Sequence, residues 1–184
     1  MAAARDIRWF ARLAFLLLLA TAPGASADWR SALPDARPVG SGDFRWFGLR
    51  LYNARTFSPV TPLDWARPFA LELTYQRSLS RDTLVEASLD EMRRLGGPEL
   101  SETTLERWAA LMREAFVDVR PGMRITGLYL PGQGARFYVD GQLRRQIDDA
   151  AFARGFFAIW LHPRARDPQL RLRLSGLATD ERGD

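Results

Sequence analysis

The chain of 184 residues contains no cysteine, no lysine and a single histidine, His162. Without cysteine there can be no disulfide, thiolate nucleophile, cysteine-ligated metal or lipidated cysteine. Without lysine there is no Schiff-base or lysine-base chemistry, and a single histidine excludes catalytic and metal sites that need two. These absences remove most familiar enzyme classes. The composition, 47% apolar and 26% charged, is otherwise that of an ordinary globular domain.

The charges of the chain are close to balanced in spite of a high isoelectric point. The chain has 26 basic residues, all of them arginine, and 22 acidic residues, which gives a formal net charge of +4 at pH 7. The sequence pI of about 10.2 reflects the absence of lysine, since few groups titrate until the pH is very high. The arginines are interleaved with acids and form no basic stripe, so no nucleic-acid partner is expected.

The N-terminal segment has the layout of a secretory signal peptide. Arginines come first, an unbroken apolar run covers residues 13–22, and small residues at 25–27 suit signal peptidase. This run is about half the roughly 20 residues that span a bilayer, which disfavours an uncleaved anchor. We therefore expect cleavage after Ala27, export to a periplasm, and no stable membrane anchor after cleavage.

The rest of the chain is predicted to form one α+β domain over residues 28–177, followed by a polar tail at 178–184. Residues 28–42 are interpreted as a leader. Alternation of apolar and polar residues predicts strands at 44–57 and 69–75. The turn at 131–134 and the Asp-Gly turn at 140–141 predict three further strands in a meander, at 124–130, 135–139 and 142–147. Helical spacing predicts four helices, which begin after Ser80, Ser101, Asp148 or Asp149, and Asp167. The order β-β-α-α-β-β-β-α-α predicts a sheet covered by helices.

Five segments together resemble the bacterial chalcone isomerase-like family. In chain order they are GSGDFRWFGLRLYNARTF at 40–57, PFALELTY at 68–75, SLDEMRRLG at 88–96, TGLYLPGQGARFYVDGQ at 126–142 and IDDAAFARGFFAIWLHPRARDPQLR at 147–171. The resemblance implies an open-faced β-sandwich, in which a helical layer covers a large antiparallel sheet with a ligand cleft between them. It also implies one of two activities, since the family includes chalcone isomerases and non-catalytic fatty-acid-binding members.

The resemblance argues against the isomerase reaction, in which a chalcone closes to a flavanone by intramolecular addition. The family's catalytic arginine matches Arg37 loosely, and its threonine, tyrosine and asparagine fall near Phe47, Ser80 and Ala87. Phenylalanine and alanine cannot donate a hydrogen bond to a substrate. Since the reaction needs oriented donors at a developing enolate, no catalytic residue is assigned, and no cofactor or metal is expected.

The predicted function is therefore non-catalytic binding of a fatty acid or another apolar ligand in the cleft between sheet and helices. The strand over 44–57 is interpreted with Arg45 and Phe47 on its inward face, and an arginine fork suits a carboxylate. The candidate ligand-binding residues are Arg37, Arg45, Tyr75 and Tyr129. The aromatic stripe over 152–160 is interpreted first as core and second as pocket wall.

Two alternative functions stay open at this point. One is an isomerase, formally an intramolecular lyase, with a rearranged set of polar residues. The other is a ligand-free structural or partner-binding domain whose cleft is filled by its own side chains, such as Phe47 or the aromatic stripe. Fold analogy alone does not decide between these functions.

Overall fold

The computed structural model describes residues 28–178, which form a six-stranded antiparallel sheet with helices packed on it. The predicted signal peptide and most of the polar tail lie outside these residues. The strands are β1 (Arg37–Trp46), β2 (Leu49–Ser58), β3 (Phe69–Tyr75), β4 (Arg124–Leu130), β5 (Gly134–Val139) and β6 (Gln142–Ile147). The helices are α1 (Trp29–Ala32), α2 (Arg81–Gly96), α3 (Glu102–Ala115), α4 (Ala150–Leu161) and α5 (Pro168–Ser175), with a short 3-10 helix at Gly97–Glu99. The strands lie side by side in chain order, and the predicted α+β fold class is confirmed.

The starts of the four longer helices follow from their capping residues. Each cap accepts a hydrogen bond from a backbone N–H of the first turn, which no residue within the helix can accept. The caps are Ser80, Ser101, Asp149 and Asp167. The stretch LRLRL at 170–174 alternates like a strand, but the Asp-Pro start prevails and α5 forms.

Residues 44–57, predicted as one long strand, form a hairpin, so this prediction is wrong. β1 ends at Trp46 and β2 begins at Leu49, while Phe47 and Gly48 between them have φ of 47° and 78°. The alternation of side chains runs through such a two-residue turn without a visible break. The segment 28–42, interpreted as a leader, contains α1 and the first part of β1.

A β-bulge beside this hairpin sets which side chains of β2 face the helices. Phe44 lies opposite Tyr52 and Arg45 lies opposite Arg50, so β2 carries one extra residue, Leu51. Phe44 and Tyr52 pack against the main core, and Arg45 lies on the opposite face. The predicted inward face, with Arg45 and Phe47, is therefore wrong.

The main core lies between the sheet and the helices α2 to α5. Phe69, Leu71, Leu73 and Tyr75 of β3 point into it, as the alternation predicted. On the other face of the sheet, Trp29 of α1 packs against a smaller apolar cluster. No helix within residues 28–178 is long and apolar enough to cross a membrane.

Two glycines of β1 allow α5 to pack directly against the sheet. A Cβ atom on Gly40 would overlap the carbonyl oxygen of Arg173, and one on Gly42 would lie 2.7 Å from the Cδ1 atom of Leu170. The Thr56 hydroxyl donates a 2.6 Å hydrogen bond to the carbonyl oxygen of Leu174. Because α5 packs closely against β1 and β2, the segment before α5 lies at the edge of the sheet.

Candidate ligand-binding cavity

A cavity of about 450 Å³ lies between the sheet and the helices α2, α4 and α5. The sheet side is lined by Leu51, Tyr52, Leu73, Tyr75 and Ile125, and the helical side by Leu84, Ala87, Phe156, Trp160 and Leu170. Most of these side chains are hydrocarbon. The volume falls within the roughly 300–1,000 Å³ of known small-molecule sites.

The cavity reaches the surface between the tip of the β1–β2 hairpin, the exposed side of α2 at Thr83, Ala87 and Asp90, and the segment that joins α4 to α5. Trp46 at the tip and Arg166 in that segment both line the cavity. Trp46 is 41% exposed. The Arg166 guanidinium carbon lies 4.9 Å from the centre of the Trp46 ring. These two side chains therefore form part of the rim of the opening.

Glu91 of α2 holds two arginines at this rim. Its Oε2 atom lies 2.6 Å from Arg94 Nη2, and its Oε1 atom accepts a 2.8 Å hydrogen bond from Arg166 Nε. Burial alone would raise the pKa of Glu91, but the hydrogen bonds from Arg94 and Arg166 outweigh it and hold the pKa below its usual value. Asp90 and Asp167 also line the cavity, so the acids around the opening offset the charge of the arginines. Within residues 28–178, Arg166 Nη1 has no hydrogen-bond partner and can donate to an anion.

Replacing Glu91 with glutamine should lower the free energy of unfolding at neutral pH by about 1 kcal/mol, a small value because both arginines are partly exposed. Since folding lowers the pKa of Glu91, its contribution is fully present above the unfolded-state pKa of about 4.3. The contribution is lost as the pH falls through the lower native pKa. Urea unfolding of both proteins across this range should show the difference shrinking. A difference that stays constant with pH would contradict the assignment.

Two tyrosines, Tyr52 and Tyr75, line the cavity close to this rim. Their rings meet edge to face with centres 5.8 Å apart. The Tyr52 hydroxyl accepts a 3.0 Å hydrogen bond from Trp160 Nε1, and the Tyr75 hydroxyl has no hydrogen-bond partner among residues 28–178. Burial raises the pKa of both tyrosines, and the carboxylates of Asp167 and Glu91 raise that of Tyr52 further. Both hydroxyls are therefore neutral donors at physiological pH.

Of the four predicted ligand-binding residues, Tyr75 alone lines the cavity. Arg45 lies on the outer face of the hairpin. Arg37 begins β1, roughly 30 Å from the cavity end of that strand at about 3.3 Å per residue. Tyr129 is buried in the core away from the cavity. The positions of Arg37, Arg45 and Tyr129 give no support to a role in the cavity, and ligand contact by Tyr75 stays a prediction.

The sequence interpretation missed most of the polar and aromatic residues around the opening. The alternation grouped Trp46 with Tyr52 on one strand face but assigned that face to the outside. Choosing the other face would have found both of them. Glu91 and Arg166 carry no local signal, because acids and arginines are common throughout the chain.

The aromatic stripe of α4 is divided between the core and the cavity. Phe152 and Phe157 are fully buried, while Phe156 and Trp160 line the cavity wall. Within the described residues, no group of three or more histidines and acids is placed to hold a metal ion. The site is thus a largely hydrocarbon cavity with its polar groups near the opening.

The fold and the cavity together define an α+β domain with an open antiparallel sheet, a helical layer and a small-molecule cavity between them. The model of the chalcone isomerase-like family matches residues 51–176, and the chain belongs to this family, which confirms the resemblance. Among solved structures, the fatty-acid binding protein AtFAP1 of Arabidopsis thaliana is similar, with a TM-score of 0.59 and 12% sequence identity over 77% of this chain and 87% of that chain. At this identity the likeness shows the fold alone. Comparison with the curated proteins gives no match.

Proposed function

We propose that this protein is an exported, non-catalytic binder of a fatty acid or a similar apolar ligand. The observation that carries the proposal is the apolar cavity of about 450 Å³ with the Arg166 guanidinium at its opening. Burial of a dozen methylene groups contributes on the order of 10 kcal/mol, at about 0.8 kcal/mol each. This exceeds the several kcal/mol that association costs. Export rests only on the signal-peptide layout of residues 1–27.

The polar groups near the opening suit a carboxylate. Among residues 28–178, Arg166 Nη1 has no hydrogen-bond partner, so this guanidinium can donate to a carboxylate. The hydroxyls of Tyr52 and Tyr75 stay neutral, so they can donate hydrogen bonds to an anion. Charge-assisted hydrogen bonds to a guanidinium are among the strongest in proteins. A ligand with one acidic end and a long hydrocarbon end matches this distribution.

The positions that correspond loosely to the isomerase catalytic set support binding over isomerisation. Of Arg37, Phe47, Ser80 and Ala87, only Ala87 lines the cavity, and it has no donor. Ser80 caps α2 by accepting from Thr83 N–H. Acceleration of chalcone cyclisation by the purified protein would favour the isomerase instead.

The structure does not favour a cleft filled by the protein's own side chains. Phe47, which could have closed the cleft, is 90% exposed at the hairpin tip. The aromatic stripe of α4 lines the cavity without filling it. These two observations support a ligand-binding cleft over a ligand-free structural or partner-binding domain.

Replacing Arg166 with methionine should weaken palmitate binding by about 10- to 100-fold, because a hydrogen bond to a charged group is worth about 1.5–3 kcal/mol. Binding of hexadecanol, which lacks the carboxylate, should change by less than about threefold. Titration calorimetry of both ligands measures the difference. Arg93→Met is the matched control, since Arg93 also pairs with acids but does not line the cavity. Absence of palmitate binding in the unaltered protein would overturn the proposed function, and equal losses for both ligands would overturn the role of Arg166.

A further inference from the structure

The tip of the β1–β2 hairpin presents apolar side chains to water. The exposed fractions are 41% for Trp46, 90% for Phe47 and 52% for Leu49. The rings of Trp46 and Phe47 meet edge to face with their centres 5.2 Å apart. Single exposed apolar residues are ordinary, but adjacent ones at one tip indicate contact with a membrane or a partner.

The backbone of this turn makes the presence of Phe47 harder to explain by the fold alone. Phe47 has a φ of 47°, in the left-handed region that bulky side chains rarely adopt. Gly48 follows with a φ of 78°, and two-residue turns with this pattern favour Asn-Gly. The Phe47 side chain is 90% exposed, so its edge-to-face contact with Trp46 offsets little of the strain in the backbone. A contact of Phe47 with a surface outside the fold would offset this strain.

Three arginines lie in a shallow groove beside the tip. Arg45, Arg50 and Arg77 line it together with Leu49. Arg45 and Arg50 are direct cross-strand neighbours, and like charges in such positions repel. Asp43 pairs with Arg50 at 3.1 Å, whereas Arg45 and Arg77 form no salt bridge within the described part of the chain. The surface next to the apolar tip is therefore positive and suits phosphate oxygens.

We propose that this tip docks on the surface of a bilayer that contains anionic phospholipid. Phe47 and Leu49 enter the interface, and the three arginines contact lipid phosphates. Apolar side chains beside basic ones are typical of proteins that lie on a membrane surface, and tryptophan favours the interface. Trp46 also lines the cavity, so docking places the cavity opening against the lipid. The docking does not depend on which ligand the cavity binds.

Sedimentation with vesicles tests the proposal. The protein is expected to bind vesicles of phosphatidylcholine with about one-third phosphatidylglycerol, and to bind pure phosphatidylcholine much more weakly. Phe47→Asn should weaken vesicle binding about tenfold or more. The same substitution should leave thermal stability unchanged or raise it, because asparagine suits the turn. Leu143→Asn, at a site on β6 that is 49% exposed, is the matched control and should bind vesicles as before.

A variant with both Arg45→Gln and Arg77→Gln should lose most of its preference for anionic over neutral vesicles, since Arg50 is the one arginine of the groove that remains. Palmitate affinity without vesicles should be unchanged in Phe47→Asn, because Phe47 does not line the cavity, so failure of docking and failure of ligand binding are distinguishable. Vesicle binding that survives Phe47→Asn would overturn the proposal, as would no vesicle binding by the unaltered protein. Sedimentation equilibrium that shows a dimer lost in Phe47→Asn would assign the tip to a second copy of the chain.

Discussion

Replacing Leu73 with tryptophan should reduce palmitate affinity by about 100-fold. Leu73 lines the sheet side of the cavity and is only 6% exposed, so the larger ring has to occupy the space that the acyl chain would fill. Excluding about four methylene groups removes about 3 kcal/mol of burial, which corresponds to roughly a hundredfold change in affinity. Titration calorimetry with palmitate measures this loss.

The fold should tolerate this substitution because the added ring enters a cavity and not packed core. We expect melting temperatures of Leu73→Trp and the unaltered protein within a few degrees of each other. Leu143→Trp introduces the same change at an exposed site on β6 and should bind palmitate normally. Ala87→Trp approaches the cavity from α2 and repeats the test if Leu73→Trp does not fold. Normal palmitate binding by folded Leu73→Trp would place the ligand elsewhere.

The parts of the fold that local chemistry determines were predictable from the sequence. Ser80 and Ser101 begin their helices because their hydroxyls accept from the first free backbone N–H groups. The Asp-Gly pair at 140–141 joins β5 to β6, since both residues adopt the positive φ that this turn requires. Such signals lie within a few residues of each other, so no knowledge of the remaining chain is needed.

The hairpin at 44–57 shows where local patterns are insufficient. Alternation predicts two faces but does not say which face meets the helices, because both contain apolar residues. The extra residue at Leu51 brings it into the cavity wall together with Tyr52. Phe47 at a left-handed position contradicts the turn preference, so its turn had no sequence signal beyond Gly48.

The contact of Glu91 with Arg166 at the rim could not be predicted from the sequence, for a different reason. Glu91 and Arg166 are 75 residues apart in the chain and meet only because α5 and the segment before it lie against the sheet edge. Many of the 26 basic residues have an acid nearby in sequence, so nothing distinguishes Arg166 before the fold is known. The family resemblance predicted the cleft but did not predict the residues that line it.

The second large effect is expected for Gly40→Ala, which should lower the free energy of unfolding by about 3 kcal/mol. The added Cβ would overlap the carbonyl oxygen of Arg173, a backbone atom that cannot rotate away. Either α5 or β1 must shift, and overpacking of this kind costs about 1–3 kcal/mol or more. Urea unfolding measures the loss.

Because α5 follows directly after Arg166 and also contributes Leu170 to the cavity, the shift that Gly40→Ala causes should also weaken palmitate binding. Ser41→Ala is the matched control, since Ser41 is exposed on the same strand and its substitution should change stability by less than about 0.5 kcal/mol. The two variants differ by one position along β1 and introduce the same residue. Equal stability of Gly40→Ala and Ser41→Ala would mean that α5 does not rest on Gly40, and the rim at Arg166 would then lose its structural basis.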